Sequence, residues 1–476
     1  MGSTGCDPQG HSAVGSSLAV RDLAVGRTAD RRAMDTTHRI STQRRIAVIA
    51  LGLIVATLAA GSLRHGDVVD HELEEELEGI AGRDKVLVND ALTIEAAFEH
   101  DSYRPGAYAR LRLFRDVRRM TVRVFRSGPE GIVTRRSDMM FGVEVGRKLD
   151  VRSARRGTTL RIRIGDWPSG LYFARLWSGG GRIGFAPFVV APRRLGENTV
   201  AVVLPTNTWL AYNVRDADRD GVGDSWYADK SRLTIQTWRP FLSRGVPFRF
   251  KAYDLPFLRW LDRSGKRVDV LSDVELDRAT GDELARAYRL IVFPGHHEYV
   301  TENAYDAVER YRDLGGNLSF LSANNFYWKV KRTPGQMTRV RKWRELGRPE
   351  SSLIGVQYIG NDEGEARGPW RVRQTPHTRW LFAGTGVGPG GTLSNGGIEV
   401  DAITSSSPRG TTVVAEISDL LGPGMTAQMT YYETRSGARV FAAGAFTLAG
   451  AVFQPDVKAL IENLWRELSL PQHAVG

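Results

Sequence analysis

A chain of 476 residues is long enough for two or three domains, each with a core of its own. At 42% hydrophobic and 25% charged residues it reads as globular over most of its length, and its single cysteine, Cys6, excludes a disulfide framework, a cysteine-held metal cluster and a thiol nucleophile. The net charge of +11 rests on 65 basic residues, nine of them lysine; the arginines are spread along the chain without basic–aromatic clusters, so the charge does not point to nucleic acid.

Residues 1–45 are Gly/Ser-rich and basic and read as a cytoplasmic or unstructured segment. Residues 46–63 (IAVIALGLIVATLAAGSL) carry no charge, follow Arg44-Arg45 and precede Arg64. Eighteen apolar residues sit at the lower limit for a membrane span, and the small residues Ala59 to Ser62 also suit a signal-peptide cleavage site. An anchor and a cleaved signal both place the remainder outside the cytoplasm; a buried core helix is the alternative. Residues 64–84 are acidic and read as a linker.

Residues 85–197 contain short alternating runs such as Leu160-Arg161-Ile162-Arg163-Ile164, separated by Gly/Pro turns. Period-2 alternation predicts strands with one buried face, hence an antiparallel β-sandwich domain. From 198 to 476 the pattern changes. Thr199 to Leu204 and Leu290 to Phe293 are continuous apolar runs, as strands buried on both faces should be. Helices are expected over 254–264 (with Asp254 as N-cap), 281–287 and 301–314, and strands over 267–271 and 317–321. This β–α alternation predicts a mostly parallel, doubly wound α/β sheet domain, followed by a Gly-rich, strand-like region over 350–450 and a final helix near 455–468.

Sites in such sheets gather beyond the carboxyl ends of strands. Three strand ends here run into polar and aromatic segments: Pro205 to Asn213, Pro294 to Tyr299 and Ser322 to Trp328. His296 and Glu298 stand two apart, so an extended chain presents both on one face, where a carboxylate can bind metal or move a proton beside an imidazole. A hydrogen-bonded polar turn is the plain alternative for that pair, and a core tyrosine for Tyr212.

NTWLAYN, FLRWLDRSGKRVDVLSD, GHHEY, AVERYRDLGGNLSFLSANNFYW and ARVFAAGAF resemble the large (beta) subunit of N,N-dimethylformamidase and its relatives, a resemblance that covers roughly residues 100–470. The sheet domain also resembles the class I glutamine amidotransferase-like fold, whose cysteine position is filled here by GHHEY, which excludes thiol chemistry. The resemblance implies a mononuclear Fe(III) site held by Tyr212, Glu298 and a second tyrosine, Tyr172 of SGLYFARL, with His296 and Asn324 at catalytic positions. It further implies hydrolysis of the C–N bond of a small amide, and a small partner subunit. Val300 stands where the family's GHxEYW motif has Trp, which implies an altered pocket. Phenolate and carboxylate are hard oxygen donors, suited to a hard cation.

Asp216, Asp218, Asp220 and Asp224 follow a DxDxDGxxD pattern, read as a calcium loop with a structural role or as a solvated acidic loop. Position 12 of that loop is Tyr227, so it is no full EF-hand. Glu399 and Asp401 alternate on a strand and read as an ion pair, with pocket lining as the alternative. Two other readings of the whole stand beside the iron amidohydrolase: a non-catalytic cell-surface or carbohydrate-associated module, and a hydrolase binding Zn or Mn through His296 and Glu298.

Overall fold

The structure, a computed structural model, describes residues 92–130, 138–362, 366–446 and 448–470. The expected N-terminal segment, membrane span or signal, and linker all lie outside the described residues. No helix among the described residues is long and apolar enough to cross a membrane.

Residues 92–190 form two sheets. One joins Ala96–Phe98, Tyr108–Leu113 and Thr159–Arg163 in antiparallel order. The other has five strands, with Gly170–Trp177 central between Ile183–Val190 and Met120–Arg126. Alternation does its expected work in Tyr108–Leu113, where Ala109, Leu111 and Leu113 are buried and the residues between them are exposed. These residues pack with Val122, Val124, Leu176 and Phe188 into one core shared by the two sheets. The opposite face of the five-stranded sheet, carrying Phe125, Leu171, Phe173 and Phe185, packs with the α/β part instead. Covered on both faces, Gly170–Trp177 and Ile183–Val190 are therefore buried over most of their length.

The α/β part is built on β1 (Val200–Leu204), α1 (Thr206–Ala211), β2 (Asp269–Ser272), β3 (Leu290–Phe293), α2 (Glu302–Asp313), β4 (Asn317–Phe320), β5 (Thr392–Ala402) and β6 (Arg439–Ala442). The strand order β2-β1-β3-β4-β6 is parallel throughout. Each residue of β1 is buried: Val200, Val202 and Leu204 enter one core, Ala201 and Val203 the core on the other face. That is the reason for an unbroken apolar run. Helix α2 ends at Gly315, whose φ of +94° gives the left-handed turn that lets Gly316 bond back to Tyr311.

Contrary to expectation, the sheet is not mostly parallel. Its eleven strands continue past β6 through antiparallel strands that include β5. Residues 418–426 and 434–438 are short connections between antiparallel neighbours, whereas parallel neighbours need long crossovers. Asp254 precedes the helix Leu255–Arg263 as expected, but its side chain makes no cap; it accepts the indole N–H of Trp209 at 3.2 Å.

Candidate metal centre

The order of β1, β2 and β3 reverses at β1, and the carboxyl ends of β1 and β3 therefore open the crevice of this sheet. After β1 the chain turns at Pro205 into α1, all six residues of which are buried. Its first turn is held from β2's end by Asp273, which accepts the Asn207 N–H at 2.7 Å and the Thr206 hydroxyl at 3.2 Å. The Tyr212 N–H closes the last turn on the Thr208 carbonyl. After β3 the segment Pro294 to Glu298 is tied to the same helix, because the Glu298 N–H donates to the Thr208 hydroxyl at 3.1 Å. The segment after β4 is fastened to it in turn: Phe326 N–H donates to the His297 carbonyl, and Tyr327 and Trp328 N–H donate to that of Glu298. In this turn Asn324 and Phe326 take φ of 51° and 59°, rare for residues with a Cβ. Asp401 of β5 fixes the turn by accepting the Asn324 N–H on both oxygens, at 3.0 and 3.1 Å.

Tyr212, Glu298, His296 and Asn324 thereby converge. The Tyr212 hydroxyl donates to Glu298 Oε2 at 2.8 Å, and the Tyr227 hydroxyl donates to that of Tyr212 at 2.7 Å. His296 Nε2 lies 3.6 Å from Glu298 Oε2 and 3.6 Å from Glu399 Oε2. Instead of the expected ion pair, Glu399 thus lines the site and Asp401 braces it. Tyr227 was not among the expected ligands. It follows the acidic loop on the buried anchor Trp226, and its half-exposed ring lies 4.2 Å from that of Tyr212. Phe446, beyond β6, packs on His296 at 4.7 Å; it gets there through Gly444, whose φ is +70° and where a Cβ would meet the Gln428 carbonyl at 2.0 Å.

Electrostatics mark the same spot. Burial pushes the Glu298 carboxyl up to about 7, against the Tyr212 and Tyr299 phenols and the Asn324 amide that favour its charge. Burial and the Glu298 charge hold Glu399 well above the carboxylate range. Burial, then the two glutamates, raise the Tyr212 phenol far above its ordinary value. His296 is pushed down to about 3 by burial, with His297 adding to it. His296 Nε2, Glu399 Oε2 and Asn324 Oδ1 are buried without a hydrogen-bond partner. Unpaired acceptors are costly in a low dielectric, and a cation removes that cost. The donor set fits one: Glu298, Tyr212 and Tyr227 offer hard oxygens spaced like adjacent corners of a shell with bonds of ~2.0–2.2 Å.

The family model described as N,N-dimethylformamidase beta subunit-like, C-terminal, matches residues 150–456. This chain belongs to that family.

Two relatives named N,N-dimethylformamidase beta subunit are similar to this dimethylformamidase-like chain. That of Alcaligenes sp is 24% identical over 261 residues, 43% of this chain and 34% of its own. That of Paracoccus aminophilus is 24% identical over 257 residues, 42% of this chain and 34% of its own. The chain thus matches about a third of the length of these relatives. Among solved structures, a superoxide reductase (neelaredoxin) from Ignicoccus hospitalis aligns with 22% of this chain and 96% of its own at 12% identity and a TM-score of 0.16, a likeness that carries no argument.

Two expectations drawn from the dimethylformamidase-like motifs are corrected by the geometry. Tyr172 does not join the site: its ring is stacked between Trp167 and Phe188 in the core of the two N-terminal sheets, and its hydroxyl donates to the Pro168 carbonyl at 2.8 Å. Strand alternation fixes this, because Leu171 and Phe173 point the other way, toward the α/β part. Val300 does not shape the pocket. Tyr299 packs beside Tyr212 and Trp226, so its strand neighbour Val300 turns to the opposite core with Ala304 and Tyr305.

In the acidic loop the carboxylates of Asp216, Asp218 and Asp224 come within 4.8 Å of one another, while Asp220 is absent from that cluster and closes a turn on the Val222 N–H. Asp216 accepts the Arg219 and Gly221 N–H groups, and Asp224 accepts that of Ala217 and pairs with Arg232. Three of the four residues expected around a calcium ion are thus brought together.

Proposed function

We propose that this chain is an exported, iron-dependent amidohydrolase that cleaves the C–N bond of a small amide. The observation that carries the reading is the convergence of Tyr212 and Glu298 with His296 at one buried, acceptor-rich point. Family membership and the relatives' name support the dimethylformamidase-like chemistry. Tyr227 stands in the second tyrosine's place, since its hydroxyl is the one on Tyr212. The relatives are named beta subunits, and a partner subunit is part of the proposal on that ground. Export rests on the sequence of residues 46–63 alone. The sheet order β2-β1-β3-β4-β6 supports a glutamine amidotransferase-like reading of the α/β part.

A ferric ion at these oxygens supplies Lewis acidity toward an amide carbonyl. The chain's own residues supply the rest. His296 Nε2, buried without a hydrogen-bond partner between Glu298 and Glu399, is placed to accept the proton of an attacking water. Glu399, whose Oε2 lies 3.6 Å from that nitrogen, is placed to pass a proton to the departing amine. Asn324, fixed by its backbone bond to Asp401, aims its amide at the two glutamates. Phe446, buried against His296, shields that ring from water, and Phe248 stacks on Tyr212 from the exposed side. The test is Tyr212→Phe. Metal content and amide hydrolysis should both be lost; metal retained would favour a site built on His296 and Glu298, and no change beyond a small loss of stability would favour a non-catalytic module.

A further inference from the structure

The two tyrosines of the site stand at opposite ends of one loop: Tyr212 ends α1, and Tyr227 follows the acidic turn. The loop is pinched at its neck, where the Asp224 N–H donates to the Arg215 carbonyl at 3.1 Å. Arg215 is three residues past Tyr212, and Asp224 is three before Tyr227. The neck therefore sets how closely the two phenols approach, and their hydroxyls meet at 2.7 Å. Tyr212 has anchors of its own in α1 and Glu298. Tyr227 is half exposed and depends on the neck and on the buried Trp226 beside it.

The neck is gripped from outside the loop. Glu95 lies one residue before the strand Ala96–Phe98 and is buried. The Arg215 guanidinium donates to it at two points, Nη2 to Oε2 at 2.9 Å and Nε to Oε1 at 3.4 Å, across 120 positions of chain. Arg115 closes on the same carboxylate, its Nε 3.2 Å from Oε2. The Glu95 backbone is fixed as well, because its carbonyl accepts the Phe114 N–H at 2.9 Å. A buried ion pair adds little net stability, since desolvation offsets the attraction, but a two-point fork on a carboxylate fixes direction. Glu95 thus fastens to the N-terminal sheets the one residue that closes the neck between the two tyrosines.

We propose that Glu95 is a positioning residue of the metal centre: through Arg215 it holds Tyr227 against Tyr212. This rests on the reading of Tyr212 and Tyr227 as ligands of one ferric ion. The test is the visible spectrum, and the iron affinity by chelator competition, of the full chain loaded with ferric ion. Glu95→Gln should bind iron about 10–100-fold more weakly, the usual cost of losing a group that orients a ligand, and its phenolate-to-iron charge-transfer band should move to that of Tyr227→Phe. Added to Tyr227→Phe, the same substitution should change the band no further, since both act on one ligand. Arg215→Lys keeps the charge and loses the fork, so it should shift the band in the same direction, and it decides if Glu95→Gln fails to fold. A wild-type band in these variants, or a further change on the Tyr227→Phe background, would overturn the proposal and leave the metal centre standing. A wild type without iron or band would remove the metal centre and the proposal with it.

Discussion

Tyr212 is the pivot of the site: one hydroxyl touches both Glu298 and Tyr227, and its ring meets His296 edge-on at 5.4 Å. The sequence made His296 and Glu298 legible by their spacing at a strand end, whereas Tyr212 and Asn324 were legible only through the family resemblance of their motifs. It did not make Tyr227 legible, since a tyrosine after an acidic loop carries no periodic signal, although its position in place of the EF-hand glutamate was visible. Glu399 was visible only as one of two alternating acids, and such spacing does not say what faces them. Its proton is central to the mechanism. Glu399→Gln should lower kcat by about 10²–10⁴-fold, the range of one general acid, with metal content unchanged in elemental analysis. Metal lost together with activity would instead make Glu399 a ligand.

At the scale of elements, apolar runs and capping patterns located β1, β3, β4, α2 and the final helix Pro455–Ser469 closely, since both faces of a parallel strand and one face of a surface helix must be apolar. The antiparallel half of the sheet was less legible: its glycines mark turns but not pairing partners, and Gly444 shows its purpose only beside Gln428. The turn between β3 and Glu298 depends on a glycine for a comparable reason. A Cβ on Gly295 would lie 2.1 Å from Asp254 Oδ1, on a side chain already engaged by Trp209. Gly295→Ala should therefore cost about 1–3 kcal/mol in a urea denaturation and displace His296. An unchanged midpoint would show that Asp254 can swing aside.

For the whole molecule, the sheets of residues 92–190 and the α/β part share one continuous core through Phe125, Phe173, Phe185 and Trp209, which local sequence patterns could not reveal because the contacts are distant in the chain. That core also buries acids. Burial pushes Asp254 up to about 8, and Asp273 and Asp401 up to about 7. An acid with a raised folded pKa contributes stability fully below its ordinary value, and that contribution is lost as pH rises through the folded value. His296 and His297, pushed down to about 3, work in the opposite sense, but only below about 6.5. Metal-free protein should thus lose stability between about pH 6.5 and 8 in urea titrations, and Asp254→Asn, which keeps an acceptor for Trp209, should flatten the loss; an equally steep loss would absolve Asp254. The proposed tyrosine–glutamate metal centre is tested most directly by iron analysis with a visible spectrum of the purified chain. It predicts near-stoichiometric iron and a phenolate-to-iron charge-transfer band that survives Tyr172→Phe and is lost or weakened in Tyr227→Phe. A colourless, iron-free protein that stays so after reconstitution with ferric ion would contradict it.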